Sequence, residues 1–103
     1  MGDYAGGRNG ELFLTYQVSV WCNGTMVLHL GTGFSDVQRF AKIADEGIPE
    51  AKEIKELWDN NYRVTFTGKN LKVFLKKHYP ETESEFYRIR SKEEYVLDCY
   101  DMS

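Results

Sequence analysis

The chain has few of the residues from which most active sites and metal centres are built. Its 103 residues include two cysteines and two histidines. Cys22 and Cys99 are too far apart in sequence to indicate a zinc cluster or a disulfide framework. No local signature joins a nucleophile to a base, and no pair of histidines has the spacing of a metal site. We therefore expect a protein that is not an enzyme and that holds no cofactor or metal ion.

Long apolar runs are also missing. No run approaches the roughly 18 residues of a membrane span, and the start of the chain has no apolar stretch after a basic region, as a signal peptide would. We therefore expect a cytoplasmic protein with reduced cysteines. Residues 1–10 contain four glycines and predict a flexible leader. Residues 11–103 then predict one domain, because two would need a longer chain.

The overall composition is that of a globular protein. Hydrophobic residues make up 42% and charged residues 28% of the chain, a balance that excludes intrinsic disorder. Aromatic residues reach 15%, so either the core is rich in rings or some rings lie on the surface for contact. The formal net charge of −3 weighs against a dedicated nucleic-acid binder.

Residues 12–22 alternate apolar and polar side chains and predict one long strand. A second strand follows after Asn23-Gly24, the strongest short hairpin signal. A two-residue loop would leave the apolar side chains after the turn on the polar face. A three-residue loop with a bulge would pair Trp21 with Thr25 and bury those side chains. Each burial contributes roughly 1.5–3 kcal/mol, so we expect the three-residue loop.

The rest of the chain predicts three helices and three strands. Ser35 opens a capping box and Gly47 is suited to a C-cap, which together bound the first helix. The predicted elements after the hairpin are a helix at 36–46, a helix at 49–60, a strand at 62–67, a helix at 70–78 and strands at 86–90 and 94–100. The order is ββααβαββ. We expect a single α+β domain with a mostly antiparallel sheet and helices packed on one face, the one carrying Val18, Val20 and Leu28.

The other face of the hairpin is the first candidate site. It carries Phe13, Trp21, Val27 and His29 among small polar residues. If the helices cover one side of the sheet, this mixture is exposed and has the composition of a protein-binding patch. A dimer partner or the leader could cover the same face, so the sequence leaves a homodimer open.

Acidic residues of the predicted second helix form a second candidate surface. Glu50, Glu53 and Glu56 could present carboxylates to a basic partner, because complementary charge speeds association and sharpens the choice of partner. The alternative is an ordinary solvated helix surface.

Basic residues of the predicted third helix form a third candidate surface. Lys69, Lys72 and Lys76 fall on one helical face, and Arg88 could lie nearby. Such a face could bind the phosphates of a nucleic acid. The acidic residues elsewhere in the chain weigh against this alternative.

These patterns favour a small interaction protein that acts by stoichiometric protein binding. Lone domains of this size without motifs are common among phage and mobile-element proteins that inhibit host enzymes, so the working hypothesis is an inhibitor of a host or defence enzyme such as a CRISPR nuclease. This step is an analogy of size and class. The alternatives are a nucleic-acid-binding accessory domain, and a small-molecule or nucleotide binder with a pocket beside the loop at 31–34.

Overall fold

A computed structural model describes residues 16–58 and 61–101, with Tyr100 and Asp101 described by their backbone only. The predicted leader and the start of the first predicted strand lie outside this part. The strands are β1 (Tyr16–Cys22), β2 (Thr25–Thr32), β3 (Glu53–Trp58), β4 (Asn61–Thr67) and β5 (Glu94–Asp101). The helices are α1 (Phe34–Glu46), α2 (Gly68–His78) and a 3-10 helix (Pro80–Arg88).

The five strands form one sheet in the order β2-β1-β5-β4-β3, and every neighbouring pair is antiparallel. Helices α1 and α2 pack on the face that carries Val18, Val20 and Leu28, as predicted. The predicted fold class, a single α+β domain with helices on one face of an antiparallel sheet, is therefore confirmed. Between residues 16 and 101, leaving aside the gap at 59–60, neither helix is long and apolar enough to cross a membrane.

The hairpin turn differs from the prediction. Cys22 lies directly opposite Thr25, so the loop has two residues and not three. Asn23 has φ 52° and Gly24 has φ 80°, and positive values at both positions are what a type I′ turn requires. The twist of this turn matches the twist of the strands that it joins, which favours the two-residue loop.

A two-residue loop was expected to leave the apolar side chains after the turn on the polar face. Two irregularities in β2 prevent this. Trp21 pairs with Met26 while Val20 pairs with Leu28, so Val27 is an extra residue in β2. A second shift lies between Val18 and Ser19. A bulge moves the following side chains to the opposite face of a strand. Leu28 is therefore buried, and the predicted burial is achieved by bulges instead of by a longer loop.

Two other predicted elements are wrong. The predicted helix at 49–60 contains strand β3, because this segment pairs with β4 and so extends the sheet, a tertiary pairing that overrides a weak helical pattern. The pattern of this segment would bury Ile54 and Trp58 on the inner face of a helix, but in the strand both side chains are exposed. The predicted strand at 86–90 falls largely within the 3-10 helix, whose first residue, Pro80, has the fixed φ that a helix start favours.

The other boundaries follow the predictions closely. Helix α1 begins at Phe34 without a side-chain cap, so the predicted capping box at Ser35 is not formed, but it ends at Gly47 as predicted. In α2 the side chain of Thr67 accepts a hydrogen bond from the backbone N–H of Asn70. This cap explains why the helix begins just after β4.

Gly68 provides a test of how closely α2 packs against the segment before β5. A Cβ at this position would overlap the backbone carbonyl oxygen of Arg90. The backbone N–H of Gly68 also donates to the carbonyl of Glu93 at 2.8 Å. We expect Gly68→Ala to lower the free energy of unfolding in urea by about 3 kcal/mol, the upper part of the range for overpacking.

Gly24→Ala is the matched control for Gly68→Ala. No atom of the described residues lies within 4 Å of a Cβ at Gly24, so this substitution is expected to cost only the strain of a positive φ, about 1 kcal/mol. If Gly68→Ala cost no more than Gly24→Ala, the close approach of α2 to Arg90 would be contradicted.

Candidate protein-binding surface

The sheet has a second face, turned away from α1 and α2, which we call the outer face. Residues directly opposite each other in antiparallel strands point to the same face. Trp21 lies opposite Val96, and Ser19 lies opposite Asp98, which in turn lies opposite Arg63. The outer face thus includes Ser19, Trp21, Met26, His29, Glu53, Lys55, Arg63, Thr65, Val96 and Asp98.

Trp21 lines a shallow groove in the outer face. The groove has a volume of about 430 Å³ and is lined by Trp21, Gly24, Arg63, Val96 and Asp98. The side chain of Trp21 is half-buried, and its indole N–H is out of reach of water and has no hydrogen-bond acceptor among the residues that the structure describes. An unsatisfied buried donor lowers the free energy of unfolding by roughly 1–3 kcal/mol. A residue that serves only the stability of the fold would not be expected to carry such a donor.

An ion pair borders this groove. The Nε of Arg63 donates to Oδ1 of Asp98 at 3.1 Å, and the Asp98 side chain is 17% exposed while that of Arg63 is 57% exposed. A pair of this kind contributes little to the stability of a fold. It does hold the guanidinium beside Trp21 and Val96, with part of its hydrogen-bonding capacity still open to a partner.

A hydrogen-bonded histidine lies beyond Ser19 on the same face. Nδ1 of His29 is 3.3 Å from Oγ of Ser19, and Nε2 is 2.6 Å from Oγ1 of Thr32. Both ring nitrogens are therefore engaged by hydroxyl groups. This arrangement fixes the orientation of the imidazole and makes it a polar contact group at the rim of the outer face.

The structure brings together part of the predicted hairpin site. Trp21 and His29 share the outer face, whereas Phe13 lies outside the described residues. Val27 is turned toward the core and packs against it, because it is the bulged residue of β2. The predicted surface therefore loses Val27 and gains Met26, which is opposite Trp21 and 47% exposed.

The three predicted acidic contact residues do not form one surface. Glu50 precedes β3, and its Oε2 accepts a hydrogen bond from Nζ of Lys77 at 2.9 Å. That hydrogen bond holds the pKa of Glu50 below its usual value. Glu53 lies on the outer face and Glu56 on the helix side of β3. They are separated because the segment is a strand, in which successive residues point to opposite faces.

The predicted nucleic-acid-binding residues lie on and beside α2. They are Lys69, Lys72, Lys76 and Arg88. Lys72 and Lys76 line a groove of about 320 Å³, and Glu83 lines the same groove. Arg88 forms an ion pair with Glu85 at 3.7 Å. The carboxylates reduce the positive potential that would attract phosphate, so this surface is less basic than the sequence pattern indicates.

The segment at 31–34, predicted as a loop beside a small-molecule or nucleotide site, forms the end of β2 and the start of α1. A Cβ at Gly31 would overlap the side chain of Asp36, so the Asp36 carboxylate lies directly against the end of β2. A negative charge at this position repels phosphate groups. Loop geometry alone therefore gives no support to a nucleotide site there.

Both thiols are poor nucleophiles in this fold. Burial raises the pKa of Cys99 to about 12. Burial also raises the pKa of Cys22, and Glu93 adds to this effect because its carboxylate accepts a hydrogen bond from the thiol. Among the residues that the structure describes, no group of three or more His, Cys, Asp or Glu side chains could hold a metal ion.

Comparison of the chain with protein-family models, curated proteins and solved structures gives no match. The outer face must therefore be judged on its own geometry. The sequence pattern did not place Arg63, Val96 and Asp98 beside Trp21. The signal was available in part, because Glu94, Val96 and Asp98 alternate with the buried side chains of β5.

The thiols yield a test of their chemical environments. Near neutral pH we expect the Cys22 thiol to react with DTNB more slowly than free cysteine, and Cys99 to react only after unfolding. Glu93→Gln removes the charge that disfavours the Cys22 thiolate, so it should speed the reaction of Cys22 and leave that of Cys99 unchanged. Cys99→Ala and Cys22→Ala assign each phase. Rapid reaction of both thiols in the folded chain would contradict these environments.

Proposed function

We propose that the protein acts by stoichiometric binding of another protein through the outer face. The observation that carries this proposal is Trp21, a large aromatic side chain on the face turned away from α1 and α2, whose indole N–H has no acceptor within residues 16–58 and 61–101. Tryptophan is the residue type most enriched among those that dominate binding energy. Its N–H usually finds a partner when it is buried, and a small rotation on binding would bring it to a carbonyl oxygen of the partner.

The surroundings of Trp21 have the composition of an interface. Val96 and Met26 extend the apolar centre on either side of the ring. Arg63 and Asp98 provide charged groups beside it. An apolar centre surrounded by polar and charged groups is typical of protein-protein contacts, and arginine is enriched in them.

The partner that we propose is a nucleic-acid-processing enzyme of the host cytoplasm, such as a CRISPR nuclease, with this chain as its inhibitor. A phage or mobile-element origin accords with a small, acidic, compact domain without a recognised motif. The net charge of −3 supports association with a basic, nucleic-acid-binding protein. The mode of action would be occupation of a surface, since the proposal requires no catalytic step.

A cleavage assay tests the proposal directly. Purified CRISPR nucleases of several types are titrated with the chain, and cleavage of labelled target DNA is measured. We expect one nuclease to lose its activity in proportion to the inhibitor added, with the end point near equimolar ratio, at concentrations above Kd. Trp21→Ala should raise the Kd for that nuclease by roughly 30-fold, the change that corresponds to a hot-spot residue.

Two further variants make the result specific. Met26→Glu places a charge in the apolar centre without touching the core, so it should also weaken binding. Tyr87→Ala removes a ring that is 76% exposed on the 3-10 helix, so it should inhibit as the wild type does. Circular dichroism confirms that each variant is folded. Equal inhibition by all variants would exclude the outer face, and no inhibition of any nuclease would remove the proposed class of partner.

A further inference from the structure

Strand β3 forms one edge of the sheet. Its hydrogen-bonded neighbour is β4, and it is last in the strand order. Five of its six residues are exposed, including Ile54 at 41% and Trp58 at 59%. An edge strand presents a row of unpaired N–H and C=O groups, which is a template for another strand.

The sequence of β3 is complementary to itself in antiparallel register. The residues on the two sides of Ile54 carry opposite charges at equal distances from it. Glu53 precedes Ile54 and Lys55 follows it. If two copies of β3 paired with Ile54 opposite Ile54, then Glu53 of each copy would lie opposite Lys55 of the other. Lys52 and Glu56 have the same relation. Opposite charges directly across an antiparallel pair are stabilising, and like charges are destabilising.

Lys55 has a second positive charge as its neighbour across the sheet. It lies opposite Arg63 on the outer face, where the guanidinium of Arg63 is engaged by Asp98. In the part of the chain at 16–58 and 61–101, neither Lys55 nor Glu53 forms an ion pair. A second copy would place its Glu53 beside Lys55, and the two side chains would form an ion pair between the copies.

Edge strands often carry charged residues that prevent pairing with other chains. Prevention requires that the charges repel in the register that would form. In the register with Ile54 opposite Ile54, Glu53 and Lys55 of the two copies attract each other on the outer face. The two Ile54 side chains then contact each other on the helix side. We propose that a second copy of this chain adds its β3 to this edge, forming a two-fold symmetric dimer with one sheet running through both copies.

Charge reversal tests the register. Sedimentation velocity of the full chain over a dilution series should show a reversible dimer. Glu53→Lys and Lys55→Glu each convert two attractive pairs of the interface into repulsive ones, so each should raise the dimer Kd by about tenfold or more. An equimolar mixture of these two variants should dimerise again, because lysine 53 then lies opposite glutamate 55, and lysine 55 opposite glutamate 53.

The controls separate this contact from the outer face and from misfolding. Lys69→Glu reverses an exposed charge on α2 and should dimerise as the wild type does. Trp21→Ala should also keep the dimer, so failure of the proposed function would leave this result intact. Three outcomes overturn the proposal: a wild type that stays monomeric at millimolar concentration, a dimer that Trp21→Ala alone dissociates, or two monomeric charge variants whose mixture does not associate.

Discussion

One row of apolar side chains crosses all five strands, and the rest of the structure depends on its register. Leu97 in the central strand lies between Val20 and Val64, and Leu28 and Ile54 complete the row at the two edges. The first four are at most 1% exposed. Because side chains alternate along a strand, a slip of one residue in any strand would turn its apolar set toward the outer face. The row therefore determines which side chains lie on each face.

The bulge in β2 follows from a conflict between this row and the hairpin turn. The Asn23-Gly24 turn alone would place Val27 opposite Val20 and leave Leu28 on the outer face. Inserting Val27 as an extra residue brings Leu28 opposite Val20 and keeps the favourable turn. The sequence shows that the turn and the burial disagree, but it does not show where a strand will bend. For this reason the predicted loop length was wrong while the predicted burial of Leu28 was correct.

Where apolar residues followed the alternation of a strand or the spacing of a helix without interruption, the sequence predicted the strand or helix correctly. Strand β4, strand β5 and helix α2 have such patterns, and all three were placed within a few residues. The segment that forms β3 has apolar residues at Ile54, Leu57 and Trp58, a spacing that also suits a helix. The segment forms a strand because it can pair with the edge of β4 that β5 does not occupy. A contact of this kind depends on the fold and not on the local pattern.

The same reasoning applies to the candidate site. Trp21 and His29 were assigned to one face from the alternation of the hairpin alone. Val96, Arg63 and Asp98 join them only because β5 lies between β1 and β4, a strand order that no local pattern indicates. The groove around Trp21 is therefore a product of topology, assembled from three strands that are distant in sequence.

The outer face and the edge at β3 would bind their partners by different means. The outer face offers side chains, so its selectivity would come from the shape and charge around Trp21. The edge at β3 offers backbone groups, which pair with any extended chain, so selectivity there rests on the charges that flank Ile54. Helices α1 and α2 cover the middle of the apolar row but leave Ile54 exposed at its end. A second copy at this edge would cover Ile54, extend the row through both copies and join their two outer faces into one surface, so a partner could contact two copies of Trp21.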